Sequence, residues 1–268
     1  MICFTYHSII QNDIPSSINA GGKHVSVEMF EKQMKYIAQK NIIDIRSDNL
    51  DSKKNSILIT IDDGFKNNYE IAFPVLKKYK IPFILFICTS FLEEELIWTD
   101  KLLKLSLSIN NFNNHAKIWL ERNNISFNQN LLSYNYLRIL FKKLDNKLLH
   151  EFFDFFAKLD KKNKLDSYTE IFDPLSWFDL KEMSDSGLCS VGSHTVNHPI
   201  LSNCDYDTQF EEIKNSKDII EKKLDEKVSL FAYPNGSEND YDEGTVKILG
   251  ELGYDYAFTT IFGYNKNI

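Results

Sequence analysis

The sequence predicts an α/β fold, a distorted (β/α)7 barrel with a helical insertion, and three observations point there. Short apolar, β-branched runs recur along the chain, most clearly Ile57 to Ile61 and Pro82 to Ile87, and read as strands buried on both faces. Stretches with helical spacing separate them, the pattern of a parallel sheet joined by right-handed crossovers. Polar, chemistry-bearing residues stand just after the runs rather than inside them. The competing architecture, an open doubly wound sheet, has no G-x-G-x-x-G or Walker-type loop to support it.

Ile2 to Tyr6 reads as the first strand, ending at His7, and a polar loop with Gly21-Gly22 follows. Ser26 is placed to cap a helix whose inner face is Val27, Phe30, Met34, Ile37 and Ala38. Ile42 to Ile45 is a short strand candidate, and Ile57 to Ile61 the strongest one. Tyr69, Ala72, Phe73, Leu76 and Tyr79 restore helical spacing, with Pro74 requiring a kink or a late start. Pro82 to Ile87 is the fourth strand, ending at Thr89-Ser90.

The alternation then stops. Residues 96–175 are rich in Leu, Phe, Lys and Asn at helical spacing with no clear strand, and read as a helical insert or lid within a single domain spanning residues 1–268. Alternation resumes with a helix from Trp177 to Met183 closed by Gly187, and a strand from Leu188 to Gly192. A long amphipathic helix begins at Asp207 or Thr208. Val228 to Ala232 is the next strand, a helix spans about 245–252, and Tyr256 to Thr260 is the seventh strand. Residues 262–268 read as polar loop.

A hydrophobic content of 43% and a charged content of 26% are those of an ordinary globular chain. The net charge of −7 argues against nucleic acid or an anionic membrane as the main partner. No apolar stretch is long enough to span a membrane, and residues 1–5 lack a basic n-region. Cys3, Cys88, Cys189 and Cys204 include no C-x-x-C pair and read as reduced thiols, so the expected setting is cytoplasmic.

The chemistry starts at Asp62-Asp63-Gly64, where the strongest strand ends. Two unpaired carboxylates cannot sit in a strand's own core, so they belong at its mouth, the face where α/β folds bind ligands. There they can divide labour, one holding a cation and one moving a proton. A turn in which Asp-Gly merely supplies a positive φ is the alternative. The second element is Ser193-His194-Thr195-Val196-Asn197-His198 after the fifth strand. Histidines four apart are a common half of a metal site, although an isolated pair is more often structural. In a parallel barrel both elements open onto one rim, together with His7 and Tyr233-Pro234-Asn235-Gly236.

Taken in order, Thr60-Ile61-Asp62-Asp63-Gly64, Ser193-His194-Thr195-Val196-Asn197-His198 and Phe231-Ala232-Tyr233-Pro234-Asn235-Gly236 closely resemble the motifs of the polysaccharide deacetylase family, the NodB-homology or carbohydrate esterase family 4 group. The resemblance covers most of the chain outside the helical insert. It implies removal of N-acetyl, in some members O-acetyl, groups from hexosamine-containing glycans or their precursors. It implies Asp62 as general base. Asp63, His194 and His198 become ligands of a divalent ion, usually Zn2+, with Co2+, Ni2+ or Mn2+ as alternatives. Tyr233, Pro234 and Asn235 would line the substrate groove, a backbone N–H of Tyr233 or a neighbour holding the oxyanion.

The chain departs from the family pattern in two places. No histidine follows His198, so the late proton donor is missing, and Ala232 stands where the third motif often carries arginine. His7 is the substitute donor this reading offers, against a plain buried histidine. Trp98 and Asp100 either line the groove or anchor the insert. His24, His115 and His150 read as surface residues. Two rivals remain at this point: a deformylase or other amidohydrolase acting on a small or lipid-linked sugar amide, and a glycan-binding protein without catalysis.

Overall fold

The computed structural model describes residues 1–12, 14–16, 18–19, 22–47, 55–159 and 169–263. Six strands form one all-parallel, curled sheet: β1 (Ile2–Tyr6), β4 (Ile57–Asp63), β5 (Phe83–Ile87), β6 (Cys189–Ser193), β7 (Leu230–Ala232) and β8 (Tyr256–Phe258), in that spatial order. The sheet is a half-barrel with β1 and β8 at its edges. A second, two-stranded parallel sheet pairs β2 (Ser8–Ile10) with β3 (His24–Ser26).

The predicted strand at 42–45 is not a strand. Only Ile42 makes a bridge, to Ile57, while Ile43 sinks into the core. Of the six residues between the helix end at Ile37 and Asp44-Ile45-Arg46-Ser47, a turn closed by the Asp44 carbonyl, the first three are themselves turn, which leaves no length for a ladder. The parts of the predicted loops and insert at Gly21, 160–168 and 264–268 lie outside the described residues.

The two faces of the sheet carry different cores. On the outer face Ile59, Ile61, Leu85 and Ile87 meet α1 (Val27–Ile37), α2 (Phe73–Tyr79) and α8 (Trp177–Asp185) through Phe30, Met34, Leu76, Leu180 and Met183. Phe30, Met34 and Ile37 recur at helical spacing, which is why α1 buries one stripe. Each such side chain contributes about 1.5–3 kcal/mol by leaving water. Ser26 stands at the N-cap of α1 without a side-chain cap bond. Pro74 sits in the first turn of α2, so the helix starts late, after a π-helical turn at Asn68–Ala72. The concave face is filled by Leu58, Ile84, Phe86, Leu230 and Ala232.

After β5 come α3 (Thr89–Leu92), α4 (Trp98–Ser108), α5 (Phe112–Arg122), α6 (Tyr134–Phe141) and α7 (Asn146–Ala157). These helices pack on an aromatic core of Phe112, Trp119, Phe141, Phe152 and Phe156, with ring centroids as close as 4.6 Å. Trp98, Phe91, Phe65 and Ile200 belong to the same cluster and join it to the half-barrel. The chain returns past the acid turn, where Leu175 N–H donates to Gly64 O and Lys66 N–H to Asp173 O.

Two more helices complete the fold. α9 (Tyr206–Leu224) starts earlier than its pattern suggested because Asp205 caps it, accepting from Thr208 N–H at 2.8 Å. α10 (Glu243–Glu251) begins at a capping box built from Asp242 and Thr245.

Candidate active site

Strand register brings the chemistry together. Tyr6 lies opposite Ile61, Asp63 opposite Ile87, and Ile87 opposite Ser193. His7, Asp62-Asp63 and His194 therefore leave the sheet side by side at its carboxyl end.

Side chains alternate across a strand, so Asp62 inherits the concave face of Leu58, and Asp63 would inherit the outer face of Ile59 and Ile61. Asp63 breaks that alternation with a φ of +79°. Its carboxylate reaches the same rim, and Gly64 follows at φ +94°, where a Cβ would lie 2.8 Å from Leu92 Cδ1. Thr195, His198 and Asn235 are also left-handed, at φ 67°, 55° and 61°. Non-glycine residues there cost on the order of 1–3 kcal/mol each and cluster where function imposes geometry.

Asp63, His194 and His198 each offer a ligand atom, and these atoms lie within 4.8 Å of one another. Asp63 Oδ1 is 3.6 Å from His194 Nε2 and 3.7 Å from His198 Nε2. Two donors about 2.1 Å from a shared tetrahedral ion stand about 3.4 Å apart, so the spacing suits a first-row dication. Asp63 Oδ1 is buried without a hydrogen-bond partner, so it could serve as a ligand atom without giving up a hydrogen bond. His194 Nδ1 bonds Ala232 O at 2.7 Å. A carbonyl only accepts, so Nδ1 carries the proton and the Nε2 lone pair faces Asp63. Burial lowers both imidazoles, His198 to about 3, so both stand neutral, as ligands must be.

The loop between the histidines is held from behind. Glu212 on α9 accepts Val196 N–H at 3.0 Å and Asn197 N–H at 2.8 Å. Thr195 Oγ1 accepts His198 N–H at 3.0 Å.

Asp62 is buried beside this group, with Oδ1 lacking a partner. Burial and the neighbouring Asp63 carboxylate raise it well above the usual carboxylate range, against the pull of Lys23. His7 Nε2 stands 3.9 Å from Asp62 Oδ2, and 32% of the His7 side chain remains open to solvent. Burial lowers the His7 imidazole, opposed by Asp63 and reinforced by Lys23. Three hydrogen bonds fix its strand exit: Asn68 Nδ2 donates to His7 O, Asn67 Nδ2 to Ser8 Oγ, and Ile9 N–H to Asn67 Oδ1.

The third motif needs a correction. Tyr233 N–H is spent on Phe258 O at 3.0 Å, and its ring stacks on Tyr241, so it is no oxyanion donor. Pro234 has no N–H. Asn235 Nδ2 is buried without a partner. His24 is also misplaced by sequence: it is buried, edge-on to Phe65. Trp98 is packed in the aromatic cluster that ties the helices to the half-barrel, and its ring is not offered to a sugar.

Sequence reasoning missed Lys23 altogether. Its ammonium lies 2.9 Å from Asp63 Oδ2 and 3.0 and 3.1 Å from the two oxygens of Asp100. One lysine in a polar loop carries no local signal, and its partners are 40 and 77 positions away. Burial pushes Lys23 down, but Asp100 and Asp63 more than offset this and hold it above the usual range. Burial also pushes Asp63 up; Lys23 and the histidines outweigh it and keep Asp63 well below the usual carboxylate range. Even with Asp62 holding its proton, Asp63 and Asp100 outnumber Lys23, an excess of negative charge that a dication would offset.

Comparison with known proteins agrees with this architecture. The sequence profile described as "Polysaccharide deacetylase" matches residues 49–257. A Bacillus subtilis (strain 168) protein described as a "putative polysaccharide deacetylase", YxkH, is 31% identical over 81 residues, 30% of this chain and 28% of that one. The match thus spans less than a third of that relative's length. Among solved structures, the Streptococcus pyogenes deacetylase PplD in complex with acetate superposes with a TM-score of 0.60 at 21% identity, covering 96% of this chain and 82% of that one. IcaB from Ammonifex degensii gives 0.57 at 21% identity, with the same two coverages. A de-N-acetylase from Aggregatibacter actinomycetemcomitans gives 0.58 at 13% identity, covering 96% and 86%. At these identities the structural likeness speaks for the fold. With a profile match across most of its length, the chain belongs to the polysaccharide deacetylase family.

Proposed function

We propose that this chain is a metal-dependent hydrolase that removes N-acetyl groups from a hexosamine-containing glycan or glycan precursor, with O-acetyl esters as a variant substrate. One observation carries the reading: Asp63, His194 and His198 converge within 4.8 Å, beside a second carboxylate, Asp62, whose Oδ1 has no hydrogen-bond partner. These residues would hold a first-row dication, Zn2+ by its preference for two imidazoles and a carboxylate. When bound, such an ion supplies Lewis acidity and makes water a nucleophile near neutral pH.

The chain's own groups do the rest. Asp62 accepts the proton of the attacking water while oxygen bonds to the amide carbon. Asn235 Nδ2 offers a donor to the oxygen that gains charge. The proton taken by Asp62 is passed on through His7, 3.9 Å away and itself neutral at rest, to the nitrogen as the C–N bond breaks, leaving acetate and a free amine. Cys3, Cys88, Cys189 and Cys204 are all free thiols, in keeping with a proposed reducing, cytoplasmic setting. Among the described residues no helix is long and apolar enough to cross a membrane.

The test is acetate release from a panel of N- and O-acetylated hexosamine mono- and oligosaccharides, with and without a chelator. Chelator-sensitive release supports the reading. Binding without release, or release indifferent to chelation, contradicts it.

A further inference from the structure

The ion pair between Lys23 and Asp100 has no part in the chemistry above, yet it touches a residue that does. Lys23 precedes β3, and Asp100 lies in the first turn of α4, the helix that opens the insert. Asp100 is buried, the Lys23 side chain is 18% exposed, and the ammonium stands 4.7 Å above the Phe65 ring. Both Asp100 oxygens accept from Lys23, at 3.0 and 3.1 Å, while Asp63 accepts through Oδ2 alone at 2.9 Å. Asp63 Oδ1 is left unpaired on the side of His194 and His198.

We infer that Lys23 and Asp100 are positioning residues for the dication, Lys23 holding Asp63 by Oδ2 so that Oδ1 faces the ion, and Asp100 taking up enough of the lysine's charge that Asp63 stays available as a ligand. The inference rests on the reading of Asp63, His194 and His198 as the ion site. Its physical core is competition. An ammonium and a dication both draw on the Asp63 carboxylate, and in a water-poor site that competition is strong. Asp100 weakens the competitor without touching the ion. The helical insert thereby sets the affinity of a site that it does not itself contain.

The two partners must then act with opposite sign. Asp100→Asn leaves Lys23 with Asp63 as its one carboxylate partner, so Zn2+ binding weakens by about 10-fold or more, the low end of what partners behind a ligand are worth. Lys23→Met removes the competitor, so Zn2+ binds at least as tightly as in the wild type. With Oδ2 free to turn towards the ion, the visible absorption of the Co2+-loaded chain changes. In the Lys23→Met, Asp100→Asn double variant the affinity lost with Asp100 returns.

The experiment is titration of Zn2+ and of Co2+ alone into the metal-free chain and its variants, with melting curves to confirm folding. Asp100→Asn is isosteric and carries the test by itself if Lys23→Met does not fold. The expected result is weaker binding in Asp100→Asn, restored by adding Lys23→Met, and an altered Co2+ spectrum in Lys23→Met. Folded variants that match the wild type, or two single variants that both weaken binding, overturn the inference and leave the ion site standing. A wild-type chain that takes up neither ion overturns the site reading, and this inference with it.

Discussion

Gly192 is the position where packing and chemistry meet most tightly. It lies in β6, two residues before His194. A Cβ built there would stand 2.4 Å from both Phe86 Cδ1 and Cε1, and 2.9 Å from Leu230 O. Ordinary contact begins near 3.4 Å, so the Phe86 ring would have to retreat by about 1 Å. It has nowhere to go: Phe86 is fully buried, its centroid 5.1 Å from that of Phe258. Leu230 O is backbone of the next strand and cannot rotate away. Gly192→Ala therefore separates β6 from β5 and β7, at a cost of about 1–3 kcal/mol or more for overpacking. In a domain of this size that is roughly 2–4 °C of melting temperature per kcal/mol. Since His194 is held by Ala232 O on β7, the same shift loosens a proposed ligand. Thermal melting of the metal-free chain measures the first effect and Zn2+ titration the second. A Gly192→Ala chain that melts within 1 °C of the wild type and binds Zn2+ equally, to ~1 °C precision, refutes the packing argument.

Asp62→Asn should lower acetate release by about 10²–10⁴-fold, the usual contribution of a positioned base. The same substitution should stabilise the metal-free chain. The folded chain keeps the Asp62 proton above the pH where the unfolded chain releases it, near about 3.9, so wild-type stability is lost as pH rises towards the folded value. In chelator the variant then melts higher than the wild type at pH 7 and equally at pH 3; equal melting at both refutes the raised carboxylate. The acid limb of kcat/KM should vanish from the residual activity of Asp62→Asn. His7→Gln should cut kcat by about 10²–10⁴-fold with Zn2+ content unchanged, and an unaffected kcat would remove His7 as proton donor. Phe152→Ala, at the centre of the insert's aromatic core, should cost about 3–5 kcal/mol in urea unfolding.

Where the sequence was legible, the signal was local. Ile57 to Ile61 announced β4, and the two acids after it announced a strand mouth, because a core cannot hold them. His194 and His198 could be read as a pair because they stand four residues apart behind a buried strand. The short strand β2 and its partner β3 were not legible, three residues being too few to show a period. The break in alternation at Asp63 depends on a backbone angle that no composition reveals. Lys23 and Glu212 were hidden for a different reason, as was the partner of Asp100, a residue the sequence did single out: each acts through a contact made only when distant segments pack. The fate of the Tyr233 N–H was hidden likewise, since its acceptor belongs to β8.

The account stands or falls on the division of labour between the two neighbouring aspartates and the histidines. Calorimetric titration of Zn2+ into metal-free wild type, Asp62→Asn and His194→Ala addresses it most directly. The predicted result is one ion bound by the wild type and by Asp62→Asn with similar affinity, and loss of that binding in His194→Ala. Undiminished binding in His194→Ala, or its loss in Asp62→Asn, would contradict it.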